Sequence, residues 1–275
     1  MNVISKLLVS SAFVLSSTAH AIVIDGDLKD WIGIPIGSIN DWKPIDPTVS
    51  YFVEDQSGGS NAYLNPGYGG QAYDAEAIYV KRDATDFYIA VVTGLGPDNI
   101  TYPAGDLAFD FGSDGSYEYG VVVKSDSGTS NGGIGNKGDV YKVNQWNLGL
   151  WDDSGSYKKS EHPTTVKAGS LIGTAGLFYQ EALYNNSSLT NKLGIDAGTH
   201  YLIEAKISTS LFDVGDRDKA FRVHWTMACA NDSISVDPPA NVPTPTVLPM
   251  LALGLTLLIG FRRNPNQNAI QTTLN

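Results

Sequence analysis

Asp110, Asp114 and Glu118 fall at positions one, five and nine of one short loop, with Gly115 at position six. Carboxylates at that spacing gather hard oxygen ligands, and a calcium ion takes six to eight of them. Position three is Gly112 and position twelve is Val121, so the loop is not an EF-hand. The same residues also suit a plain hairpin turn, which favours Asp and Gly for their backbone behaviour. Asp25, Asp27 and the Asn231–Asp232 pair are further oxygen donors for such a site, and their spacing does not say which converge.

Other chemistries find less support. The letters Gly-x-Ser-x-Gly occur at Gly128–Gly132, but no helix pattern follows them, as a nucleophile elbow requires. Past the N-terminal segment the histidines are His162, His200 and His224, and no two form a His-x-x-x-His pair, so a zinc hydrolase lacks its ligand set. A glycosidase needs two opposed carboxylates. With 29 acids, some pair will always meet the distance and none stands out. The run Gly132–Gly138 leads into no helix pattern, which a phosphate cradle requires. The chain reads as a non-enzyme.

Aromatic residues offer a binding chemistry instead. Trp42, Tyr63, Tyr68, Tyr73, Trp146, Trp151 and Tyr157 sit among Gly, Asn and Asp rather than in apolar runs. Rings exposed beside hydrogen-bonding side chains stack on sugar C–H groups, so Trp146, Trp151 and Tyr157 are candidate polysaccharide contacts. The alternative is that these rings cover the edges of the fold.

The elements that must position these groups are strands. Strand patterns run over Glu76–Lys81, Phe87–Thr93, Asp106–Phe111, Tyr117–Val123, Gly138–Asn144, Asn147–Trp151, His200–Ile207 and Phe221–Met227. Asp114–Gly115 marks a hairpin turn between the third and fourth of these. Residues 33–75 form a long irregular stretch that hides a short strand near Val49–Val53. Ile22–Ile24 reads as a short strand entering an Asp25–Gly26 turn. His200–Ile207 alternates, implying one solvated face, and Ser208–Leu211 suits a turn of helix. The expected fold is all-β: an antiparallel β-sandwich, jelly-roll-like, over residues 22–238.

Charge narrows the partners. Residues 22–241 hold all 29 acids against 15 of the 18 Lys and Arg, a balance of −14. Such a body repels phosphate backbones, which excludes nucleic acid. Cys229 is the one cysteine, so no intramolecular disulfide supports the fold. Its flanks read as a strand, which suits a buried residue; a free thiol or an intermolecular bridge is the alternative.

The two ends carry addresses. Lys6, the apolar run Leu7–Leu15 and Ala19-His20-Ala21 have the order of a secretory signal cut by signal peptidase after residue 21. Residues 239–263 combine a proline-rich linker with the apolar stretch Val247–Phe261 and the pair Arg262–Arg263, the pattern of a short membrane helix with its arginines in the cytoplasm. A polar tail, residues 264–275, follows. The segment Val242–Arg263 resembles the PEP-CTERM sorting signals of Gram-negative bacteria, with Pro243, Pro245, Arg262 and Arg263 as the matching positions. Thr244 stands where that motif has Glu. The resemblance implies an exosortase-like partner, and plain membrane anchoring is the alternative.

The body carries a second resemblance. Ile24-Asp-Gly-Asp-Leu-Lys-Asp-Trp31 and the later run Asp106–Phe111 are similar to family 9 carbohydrate-binding modules. Tyr73–Tyr79, Tyr102–Gly112, Tyr117–Gly120 and His224–Asp232 are similar to a group of PEP-CTERM exported proteins. Members of that group carry Gly where this chain has Ala230. The resemblance implies an exported envelope or surface protein with a structural or matrix role. The alternative is a carbohydrate-binding module with calcium as its candidate cofactor.

Overall fold

The computed structural model describes residues 21–34, 42–53, 70–125, 132–150, 162–181 and 200–240. The described residues form strands β1 (Ser50–Val53), β2 (Ala75–Arg82), β3 (Asp86–Thr93), β4 (Leu107–Phe111), β5 (Tyr119–Val121) and β6 (Asp139–Leu148). These are followed by β7 (Pro163–Thr174), β8 (Gly176–Glu181), β9 (Tyr201–Ser208), β10 (Phe221–Thr226) and β11 (Ser233–Val236). One helical turn, α1 (Lys29–Ile32), precedes them. One sheet has the order β1-β2-β3-β9-β8 and the other β11-β10-β4-β5-β6-β7. Each neighbouring pair is antiparallel. The fold is all-β and sandwich-like, as its strand patterns and turn residues require.

The inner faces of both sheets meet in one core. Ile78, Val80, Phe87, Ile89 and Val91 come from the first sheet, and Phe109, Phe111, Phe221, Val223 and Trp225 from the second. Phe87 stands edge-on to Phe212 and Phe221, with centroids 5.2 and 5.1 Å apart. That geometry sets ring edge against ring face and adds to simple burial. Alternate residues of β2 and β3 face the other way. Ala77, Tyr79, Ala90 and Val92 pack under Leu28, Trp31 and Trp42 in a second cluster. Burial on both faces explains why Phe87–Thr93 reads as an unbroken apolar run.

The second sheet also covers part of its own outer face. Gly120 on β5 pairs with Tyr141 on β6. A Cβ on Gly120 would lie 2.6 Å from the Trp146 ring and 2.7 Å from Val166. Trp146 and Val166 are cross-strand partners farther along β6 and β7. The β6–β7 ribbon thus folds back over β5, bent by the four register shifts in its pairing.

Several details differ from the sequence expectation. Ile22–Ile24 is not a strand; it leads without regular structure toward α1, and Ile22 and Ile24 pack on the second cluster. Asn147 and Leu148 continue β6 rather than start a new strand. The strands β7, β8 and β11 carry no strong pattern. β7 includes Pro163, Gly169 and Gly173, residues of low strand preference that its pairing with β6 overrides. The expected signal segment and the tail, including Pro243, Pro245, Arg262 and Arg263, lie outside the described residues. Among the described residues no helix is long and apolar enough to cross a membrane.

Candidate functional site

The fold brings Asp110, Asp114 and Glu118 together at the end of β4, with one carboxylate oxygen of each within 4.8 Å of the others. Gly112 and Gly115 have φ of 112° and 90°, and Ser113 has φ of 53°. These left-handed residues turn the chain sharply so that the acids face each other. Asp110 is buried. Its Oδ1 accepts the Asp114 N–H at 3.0 Å and its Oδ2 the Gly115 N–H at 2.8 Å. Asp114 Oδ1 accepts from the Ser116 N–H at 2.9 Å, and Glu118 Oε2 from the Phe111 N–H at 2.9 Å. Burial, and then the charges of Asp110 and Asp114, raise the Glu118 pKa above its ordinary value. The set is a self-bonded turn with three carboxylates converging. It fits calcium in kind, and supplies fewer than the six to eight oxygens calcium takes.

Asp25 and Asp27 are elsewhere and bond locally. Asp25 Oδ1 accepts from the Asp27 N–H, and Asp27 Oδ2 pairs with Lys29 Nζ at 2.8 Å. Asp232 is buried, and its Oδ2 accepts the Ala75 N–H at 2.7 Å, tying the loop before β11 to the start of β2.

Sequence reasoning missed three buried polar arrangements. On β9, Glu204 is fully buried rather than solvated. Its Oε2 accepts the Gly26 N–H at 2.7 Å and the Asp25 N–H at 3.1 Å, and its Oε1 accepts the Trp31 indole N–H at 2.9 Å. Burial pushes its pKa up to about 7, against the pull of those three donors. Asp106 likewise accepts the Val123 N–H on Oδ1 and the Val166 N–H on Oδ2. Alternation alone places Glu204 on a wet face, and only the docked Asp25–Trp31 segment makes that face dry.

The third arrangement is Gln71, Glu76 and His200. His200 Nε2 lies 3.0 Å from Glu76 Oε1 and 3.4 Å from Gln71 Nε2, and Gln71 Nε2 donates to Glu76 Oε1 at 2.8 Å. Glu76 and His200 are each 1% exposed. His224 is buried against a parallel His162 ring, with centroids 5.3 Å apart. Burial, then the neighbouring His162 and Arg222, lower its pKa to about 3. Cys229 is also buried; its Sγ donates to Asn231 Oδ1 at 3.0 Å, and burial pushes its pKa up to about 11.

Of the candidate aromatics, those within the described residues are packed. Trp146 is half-buried over Gly120, and its Nε1–H donates to the Tyr117 carbonyl at 2.8 Å. Trp42 is buried in the second cluster, and Tyr73 stands edge-on to Tyr102. Trp151, Tyr157, Tyr63 and Tyr68 lie outside the described residues. Comparison with protein families gives no match, and neither does comparison with curated proteins.

Proposed function

We propose that the chain is an exported, non-catalytic envelope or surface protein. It carries a signal peptide over residues 1–21, a sandwich of jelly-roll type over residues 22–238, and a sorted or anchored tail over residues 239–263. The observation that carries this reading is the use made of the domain's reactive groups. Glu204, Asp106 and Asp232 each accept backbone N–H groups from distant parts of the chain. His224 is kept neutral and Cys229 is kept as a buried thiol. Groups committed to joining strands are not at the disposal of a substrate. Among the described residues the second cluster's packing begins at Ile22, which agrees with removal of residues 1–21 by signal peptidase. The tail, with Pro243, Pro245, the apolar stretch and Arg262–Arg263, suits an exosortase-like enzyme and the membrane.

The test is mass spectrometry of the full chain expressed in a Gram-negative host with and without an exosortase. The expected product starts at Ile22 and loses its tail only when the enzyme is present. A product that keeps Met1 and stays in the cytoplasm would sink the reading. Unchanged biofilm and envelope after gene deletion would count against the structural role.

The convergence of Asp110, Asp114 and Glu118 favours a second reading, a calcium-dependent module that binds polysaccharide. A glycan array silent with and without calcium removes it.

A further inference from the structure

We propose that Gln71, Glu76 and His200 form a binding site for a first-row divalent transition cation, of the manganese or zinc class, at the start of β2. The three side chains come from separate parts of the chain: the turn before β2, β2 itself and the residue before β9. Their facing atoms make a triangle with edges of 2.8, 3.0 and 3.4 Å. Donor atoms that share one cation at about 2.1 Å lie about 3 Å apart, so a coordination face has this size. An imidazole nitrogen with carboxylate and amide oxygens is a donor set for zinc or manganese.

The second observation is the state of the remaining atoms. Glu76 Oε2, Gln71 Oε1 and His200 Nδ1 are buried and have no hydrogen-bond partner among the described residues. In the tautomer whose Nε2–H donates to Glu76 Oε1, all three atoms offer lone pairs. At Glu76 Oε2 and Gln71 Oε1, buried acceptors without donors carry a desolvation cost that a cation bound between these side chains removes. Glu76 is paired with no Lys or Arg among the described residues; its side-chain partners are Gln71 and His200. On binding, His200 changes tautomer, its proton passing through water from Nε2 to Nδ1, so that Nε2 ligates the cation while Glu76 turns both oxygens to it. The Gln71 amide rotates by half a turn, so that its oxygen takes the position of its nitrogen, a change that needs no backbone movement.

The turn that carries Gln71 is held in place from behind. A Cβ on Gly94 would lie 1.6 Å from the Gln71 carbonyl oxygen, so only Gly lets β3 approach this closely. The Gly94 N–H donates to the Asp74 carbonyl at 2.9 Å, and the Thr93 hydroxyl donates to the same oxygen. These bonds fix the path between Gln71 and Glu76, and hold the site together without the ion.

The experiment uses the full chain in mild detergent, stripped with EDTA, dialysed and titrated with MnCl2 under electron paramagnetic resonance. The expected result is one bound Mn2+ per chain, displaced by ZnCl2, with nitrogen modulation in the pulsed spectrum from the His200 ring. The acidic turn at Asp110 has only oxygen ligands, so a complex without nitrogen modulation overturns the proposal. His200→Gln abolishes that modulation and weakens binding by roughly a hundredfold. Because substitution at so buried a residue can unfold the chain, Gln71→Ala is the second variant. It weakens Mn2+ binding about tenfold with the circular dichroism spectrum unchanged. Asp114→Asn leaves Mn2+ binding as it was. No binding by the wild-type chain, or binding that survives Gln71→Ala and fails in Asp114→Asn, overturns the assignment.

Discussion

The Trp31 indole N–H donates to Glu204 Oε1 at 2.9 Å across 173 residues of sequence. This bond, with those from the Asp25 and Gly26 N–H groups, docks the N-terminal segment on the outer face of the first sheet. The Asp25–Trp31 motif is therefore structural. Gly26 is required here, since its φ is 85° and a Cβ would lie 2.3 Å from the Phe178 ring.

Glu204→Gln sets an amide N–H2 against N–H donors. It is expected to lower stability by about 1–3 kcal/mol, the cost of leaving buried polar groups unpaired. Urea unfolding at neutral pH checks this, and a change below about 0.5 kcal/mol would mean that the segment is not held by Glu204.

Glu204 and His224 pull stability in opposite directions with pH. Glu204 has a folded pKa near 7 against an ordinary 4.5, so its contribution is full below 4.5 and is lost as pH rises through about 7. His224 has a folded pKa near 3 against 6.5, so its contribution is full above 6.5 and is lost as pH falls toward 3. Between these ordinary values the two slopes oppose, each limited to about 1.4 kcal/mol per pH unit. His224→Asn keeps a donor for the Pro163 carbonyl and removes the titration. Its stability is expected to fall as pH rises from 4.5 to 6.5, more steeply than that of the wild type. Parallel curves for the two proteins would show that folding does not lower the His224 pKa.

Ala230 has φ of 51°, in the left-handed region where a Cβ costs roughly 1–2 kcal/mol. A Gly at this position would take that φ without strain. Ala230→Gly relieves the strain and gives up one buried methyl. The expected net effect is a gain of up to about 1 kcal/mol, read as a higher Tm. A fall in Tm would mean that the methyl, packed close to Gly149, matters more than the strain.

Much of the fold was legible because it rests on local pattern. Phe87–Thr93 and Leu107–Phe111 are rich in β-branched or aromatic residues, and both are strands that line the core. The turn at Asp114–Gly115 was legible for the same reason, since its residues determine its backbone. β7 was not legible, because pairing with β6 rather than its own composition makes Gly169 and Gly173 extended. The acidic triad was visible as a spacing within nine residues. Gln71, Glu76 and His200 were not, since they meet only after β2, β3 and β9 pair, and Glu204 became buried only when Trp31 docked over it.

Calcium separates the two roles of the Asp110 turn. Asp110 accepts two backbone N–H groups, so Asp110→Asn is expected to lower Tm with or without calcium. Asp114 is exposed and accepts from the Ser116 N–H, a bond that Asn keeps. Asp114→Asn is therefore expected to leave the calcium-free Tm unchanged and to remove any calcium response. At about 10 mM calcium and a Kd near 1 mM, binding adds roughly 1.4 kcal/mol. For a domain of this size that raises Tm by about 3–6 °C. A melt in EDTA and then in calcium reads both variants. A wild-type protein with no rise would show that the three carboxylates serve the turn alone, and the polysaccharide reading would lose its cation. A rise kept by Asp114→Asn would place the ion elsewhere.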